Sequence, residues 1–335
     1  MVIVFVLWNV SSLFWTIAVD ETRTQVITYL QLIIFIWIIW DLYHTYTAVN
    51  TALQVYILGS YIAIVSTIYD YIIGREISLY SGGRYAGVGN AVELALILTF
   101  GLPIAWHLIT SPSNQNKNRI LRIVNVIYIP AALFAILLSG TRMAIFAVIP
   151  AIAFIFGTSY RLKPSYRLMI FVVLIFSLVL VQPYIPRSVI ERLGTTGVSI
   201  ATGDLGGRVT LWLQSLTYFY DHPMVGIGSG ALTSNYVLGA MAHNTFLSVL
   251  TELGIIGFLL FMCILIITLA QALRQKKTYA LLWVTILAIW SIGVFTLTWE
   301  YRKATWLFLT MIVVSAHLNS SAADQENNIP IVINT

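Results

Sequence analysis

The chain has 335 residues, 59% of them hydrophobic and 9% charged, with a mean hydropathy of +0.87 and a net charge of +5. A soluble domain carries about 25% charged residues, so this composition excludes a water-soluble globule and puts most of the chain in lipid. The single cysteine, Cys263, excludes an internal disulfide, and the positive charge suits anionic headgroups rather than nucleic acid, because no basic stripe with interleaved aromatics is present.

Met1 opens directly onto apolar residues, without a positive leader or a convincing cleavage site, so the first run is expected to be a span and not a removable signal peptide. Apolar runs suited to crossing a bilayer lie near 1–19, 26–40, 48–70, 86–109, 121–138, 142–157, 168–185, 244–270, 279–299 and 304–318, about ten in all. The second is short and ends in Trp37 and Trp40, residues suited to an interfacial belt. The expected fold is therefore all-α: one polytopic membrane domain over 1–335 with one long extracytoplasmic loop. The tail 320–335 is polar and is expected to be flexible and cytoplasmic.

Three basic clusters set the orientation: Lys117, Arg119 and Arg122; Arg161, Lys163 and Arg167; Arg274, Lys276 and Lys277. Alternation puts all three on one side, which the positive-inside rule makes cytoplasmic. The opposite side also holds Arg75, Arg84, Arg142, Arg187, Arg192, Arg208 and Arg302. Arginines that oppose the usual bias call for another reason to be there, and binding an anion is the obvious one.

The loop 186–243 lies on that outer side. Within it, Val209, Trp212, Leu216 and Phe219 recur at helical spacing, so 207–220 is expected to form a helix at the membrane–water boundary or over a cavity. GIGSG at 226–230 looks like a phosphate-cradling turn, but it follows no strand and opens no helix, and it is expected to be a flexible turn.

In this topology four helices enter the membrane from the outer face, with Arg84, Arg142, His243 and Arg302 at or just before their starts. Unpaired N–H groups and partial positive charge gather at helix N-termini, and with arginines they make an anion site for which phosphate is the usual guest. Arg142, in SGTR, follows a break in an otherwise apolar stretch, where a charge is a functional candidate. Arg84 and Arg208 have an alternative as plain loop residues, and Arg302 as a snorkelling anchor. His243 can act as a base near neutral pH, although it and Asn244 could simply cap the helix that follows. Glu93 and Glu252, one to two turns below the outer face, could pair with an arginine or orient the histidine. No metal-ligand motif is present, so chemistry would have to run on arginine and histidine.

Five segments carry a resemblance: RYAGVGNAVELALIL at 84–98, SGTR at 139–142, GGRVTLW at 206–212, DHPMVGIGSG at 221–230 and AHNTFLSVLTELGIIGF at 242–258. In order and spacing around one long outer loop, across a core of 84–261, they resemble the O-antigen ligase and O-antigen polymerase superfamily of bacterial inner membranes. The resemblance implies a metal-independent, inverting glycosyltransferase at the outer face, with no cofactor. Its donor would be a glycan on undecaprenyl diphosphate, its acceptor lipid A-core for a ligase or a lipid-linked repeat unit for a polymerase. Arg142, Arg208 and Arg84 would bind the diphosphate and His243 would be the catalytic base, with Asn244, Glu252 and Arg302 in support. Family members often have about twelve spans, so this chain reads about two short at its N-terminal end. A flippase for lipid-linked glycans is the alternative from another class. It would more often show internal repeats and helices interrupted near mid-membrane, neither of which the sequence suggests.

Overall fold

The computed structural model describes residues 1–76, 84–87, 89–110, 118–165, 167–168, 171–172, 175, 182–201, 208–234 and 236–327. Among these, ordered structure is helical throughout, with no strand. Six helices are long and apolar enough to cross a membrane: α2 (Val19–Leu42), α3 (Tyr46–Ile72), α4 (Ala91–Thr110), α5 (Arg119–Leu138), α10 (Thr245–Leu273) and α11 (Lys277–Val294). The shorter α1 (Val2–Ser11) and α6 (Arg142–Thr158) are also apolar, and α12 (Lys303–Asn327) begins apolar and ends polar. The expected span at 168–185 falls largely outside the described residues.

The first span differs from expectation. α1 is 10 residues long, about 15 Å at 1.5 Å per residue, half the thickness of a hydrocarbon core. Its polar end explains the stop. Asn9 donates to Phe5 O, Ser11 to Trp8 O and Ser12 to Asn9 O, and such local side-chain bonds compete with helix continuation. α2, conversely, starts at Val19 and not near 26, with Asp20 and Glu21 in its first turn, where carboxylates favour the positive end of the helix dipole.

α4 is the central helix, buried along almost its whole length and packed against α3, α5, α6 and α11. Lipid gives helices no hydrophobic reason to associate, so close contact and polar pairs hold them. Gln54 and Asn125 exchange amide hydrogen bonds of 3.0 and 2.9 Å between α3 and α5. Tyr128 of α5 donates to Leu98 O, and Gly101 leaves room for that phenol: a Cβ there would collide with the hydroxyl. Gly101→Ala is therefore expected to lower the unfolding temperature in detergent, whereas Gly59→Ala, at a position facing open space, should not.

α10 is not the uninterrupted helix its apolar run suggests. Gly254 sits at φ 66°, ψ −172°, so the helix breaks there and resumes. The outer loop returns to fill the break: Ile227 N donates to Thr251 O (3.1 Å), Gly228 N to Glu252 O (2.9 Å) and Ile255 N to Pro223 O (2.9 Å). Gly230 N donates to the Glu252 carboxylate at 2.7 Å. The GIGSG segment is thus buried and pinned, which corrects the expectation of a flexible turn. Backbone at membrane depth must satisfy its polar groups internally, and here loop and broken helix satisfy each other.

Candidate functional site

The N-termini of α4, α6, α10 and α12 gather at one end. Thr141, at the start of α6, donates to Ala91 O of α4 at 3.1 Å. Arg302, just before α12, pairs with Glu93 of α4 at 2.7 Å. Thr245 of α10 donates to Leu297 O and accepts from Trp299 N in the α11–α12 connection. Ser248, one turn on, donates to Glu300 in the same connection, and burial pushes that carboxyl up to about 7. The outer-loop helices α7 (Arg187–Gly194), α8 (Thr196–Ala201) and α9 (Arg208–Asp221) belong to the connection between α6 and α10.

Arg84 crosses to the turn before α6, where its Nε donates to Ser139 O (3.0 Å) and its Nη2 to Thr141 Oγ1 (3.4 Å). Arg142 reaches α7: its Nε donates to Arg192 O (3.2 Å) and its Nη2 to Thr195 Oγ1 (2.9 Å). Arg192 returns the contact, donating from Nε to Gly140 O at 3.1 Å. Gly140 takes φ +56°, and a Cβ there would lie 3.4 Å from Arg84 and 3.5 Å from Arg192.

These cations feel one another. Burial, then the charges of Arg192 and Arg208, lowers Arg84 to about 10. Burial and Arg142 lower Arg192, and burial and Arg192 lower Arg208. Burial and Arg208 likewise lower His243 below its usual value. Among the described residues the ion pairs are Arg75–Asp70 and Arg302–Glu93, so none of Arg84, Arg192 and Arg208 is neutralised by a carboxylate there. Partly desolvated guanidinium groups without counter-charge are stabilised by an incoming anion.

His243 has a backbone φ of +50°, the one positive value at a non-glycine among the described residues, in a region where histidine is among the more tolerated side chains. The peptide before it is held by α9, whose Trp212 Nε1 donates to Ala242 O at 2.9 Å. Arg208 and Trp212 are four residues apart and share a helix face, so one helix carries both the cation whose charge acts on His243 and the bond that fixes its loop. α9 matches the expected helix, but its packed face runs through Trp212, Ser215 and Tyr218, and Val209 is exposed. Trp212→Phe, which removes the part-buried bond to Ala242 O, is expected to lower stability by about 1 kcal/mol, read as a lower unfolding temperature in detergent.

The supporting residues divide differently. Asn244 caps α10, its Oδ1 accepting from Leu247 N at 3.1 Å. Among the described residues Glu252 neither bonds His243 nor pairs with an arginine: it is buried beneath the loop and accepts from Gly230 N. Arg302 is committed to Glu93 and lies against the Tyr301 ring. Arg192 is one of the outer arginines of the sequence, with nothing local to mark it as part of the site. It belongs to no motif, and only the tertiary clasp with Gly140 and Arg142 places it. A cavity of roughly 410 Å³ is lined by Asp20, Glu21, Gln25, Met241 and Tyr301 among others. Its carboxylates repel an anion, so it is not where a phosphate would sit.

Residues 127–262 match the model of a family described as O-antigen ligase. The match supports the O-antigen ligase and polymerase superfamily. It takes in Arg142, Arg192, Arg208, His243, Asn244 and Glu252; Arg84 and Arg302 lie outside it. No curated protein matched the chain in comparison. The O-antigen ligase match supports glycosyltransferase-type activity in general, with lipid-linked glycan and lipid A-core type partners. With the membrane-embedded helices, it suggests a bacterial membrane protein.

Proposed function

We propose that the chain moves a glycan from undecaprenyl diphosphate to an acceptor hydroxyl at the outer face of the inner membrane, as an O-antigen ligase acting on lipid A-core. The observation that carries this reading is that Arg84 and Arg142 meet at the turn before α6, while Arg208 opens the helix that holds the peptide before His243 through Trp212. The arginines bind the diphosphate and stabilise the charge it develops on departure. His243 takes the proton from the acceptor hydroxyl. The acceptor oxygen attacks the anomeric carbon as the bond from that carbon to the diphosphate oxygen breaks, so configuration inverts and undecaprenyl diphosphate leaves as the anion. The guanidinium groups do the electrostatic work without a divalent cation, and activity is expected to survive EDTA; loss of activity restored by added magnesium would overturn that point.

A polymerase would use the same groups, with a lipid-linked repeat unit as acceptor. The break in α10 is the kind of feature a flippase uses, but its freed carbonyls are taken up by Ile227 and Gly228 of the loop, which leaves them unavailable to line a transport path. The deciding experiment examines surface glycolipids and undecaprenyl-linked glycans in a deletion strain. Long chains stranded on undecaprenyl diphosphate above bare lipid A-core identify the ligase, and core capped by a single repeat unit identifies the polymerase. An unchanged profile would count against both.

His243 must be neutral to accept a proton, so activity should rise with pH through a histidine pKa below 6.5. Arg208→Gln removes one of the two causes of that depression, and the acid limb should move up toward 6.5. An unmoved limb would mean that the titrating group is not His243.

A further inference from the structure

Arg192 and Arg84 pack around the same glycine, with atoms 3.5 and 3.4 Å from where a Gly140 Cβ would lie, and Arg142 binds the Arg192 carbonyl. The charge of Arg192 acts on Arg84 and Arg208, and that of Arg142 acts on it in turn. Its Nε is spent on Gly140 O, which fixes the plane of the guanidinium and leaves the two terminal nitrogens as its remaining donors. Its backbone carbonyl and Thr195, at the C-terminal end of α7, hold Arg142 in turn. α7 and the Gly140–Arg142 turn therefore clasp each other through two arginines in opposite directions. A cation that only stapled this turn would be better placed away from three like charges, because each adds repulsion in a partly desolvated setting.

We propose that Arg192 is a fourth ligand of the donor diphosphate, bridging the phosphate held by Arg142 and the one held by Arg84 and Arg208. This rests on the donor reading above and extends it to a residue outside the recognised motifs. A group placed between two phosphates contributes more to a diphosphate than to a monophosphate, and that difference separates a ligand from a staple.

The test measures binding of undecaprenyl diphosphate, undecaprenyl phosphate and undecaprenol to the full chain in nanodiscs, for wild type, Arg192→Gln and Arg192→Lys. Losing a charge-assisted hydrogen bond is expected to weaken undecaprenyl diphosphate binding about 10–100-fold in Arg192→Gln. The loss for the monophosphate should be several-fold smaller and undecaprenol binding unchanged, with only the small drop in unfolding temperature expected from losing the bond to Gly140. Arg192→Lys, which keeps the charge and loses the fork, should fall between. Wild-type affinity for the diphosphate in Arg192→Gln overturns the proposal, and so does an equal loss for all three lipids with a lowered unfolding temperature. Arg142→Gln and Arg208→Gln serve as controls. If they too bind the diphosphate normally, the donor reading itself fails; if they bind weakly while Arg192→Gln does not, only the role of Arg192 fails.

Discussion

His243→Ala is expected to reduce glycan transfer by about 10²–10⁴-fold, the usual contribution of a positioned general base, while undecaprenyl diphosphate still binds. The separation follows from geometry. The Arg84, Arg142 and Arg192 hydrogen bonds run between the α6 turn, α7 and the segment before α4, and none passes through the histidine side chain. The fold should also survive, because the α10 cap belongs to Asn244 and the loop is held through Ala242 O. The measurement pairs single-turnover transfer with donor binding on the same preparation. Full turnover in the variant removes His243 from the chemistry. Loss of donor binding in step with turnover would make it a phosphate ligand instead.

Gly254→Ala and Gly226→Ala are expected to be the most damaging glycine-to-alanine changes among the described residues. Both glycines have left-handed φ, +66° and +70°, and each would drive its new Cβ into backbone: Gly254 into the Met224 carbonyl and Gly226 into that of Glu252. Backbone held by hydrogen bonds on both sides cannot rotate away as a side-chain end can. Strain of this kind costs about 1–3 kcal/mol, and each loop-to-helix hydrogen bond that opens in relief costs about 1 kcal/mol more. The expected result is a large drop in unfolding temperature, with protease-sensitive sites appearing at 222–231. Gly59→Ala is the reference, and a Gly254→Ala protein as stable as that reference would mean that the break is not held as described.

Much of the architecture is written in the apolar runs, because bilayer thickness fixes how long such a run must be. The outer-loop helix was legible for a similar reason: the spacing of Trp212, Leu216 and Phe219 states its period. Asn244 could be read as a cap from its place before an apolar run. What escaped depends on partners far away in sequence. Gly254 in LGIIG looks like a glycine tolerated inside a helix, and only the return of Pro223–Gly230 makes it a break. Arg192 carries no local mark of its role, since its contacts are Gly140 and Arg142. The half-length α1 was more nearly legible, because Asn9, Ser11 and Ser12 interrupt the apolar run where the helix ends. The roles of Arg84, Arg142, Arg208 and His243 rest on resemblance and charge, and which of them meet depends on tertiary contacts that no local pattern states.

The seam at Gly254 also imposes an order on biogenesis. Trp8 Nε1 closes on Leu253 O across 245 residues of sequence, and Ser229 bonds both Asn9 and Ser12. α1 therefore finds these partners in segments made long after it. At usual elongation rates that interval is roughly 10–50 s, during which the indole N–H of Trp8 and the Asn9 amide lack their final acceptors and donors within the membrane. α1 is thus made well before the segments that secure it, and insertion factors or quality-control proteases acting on the nascent chain would meet it without those partners.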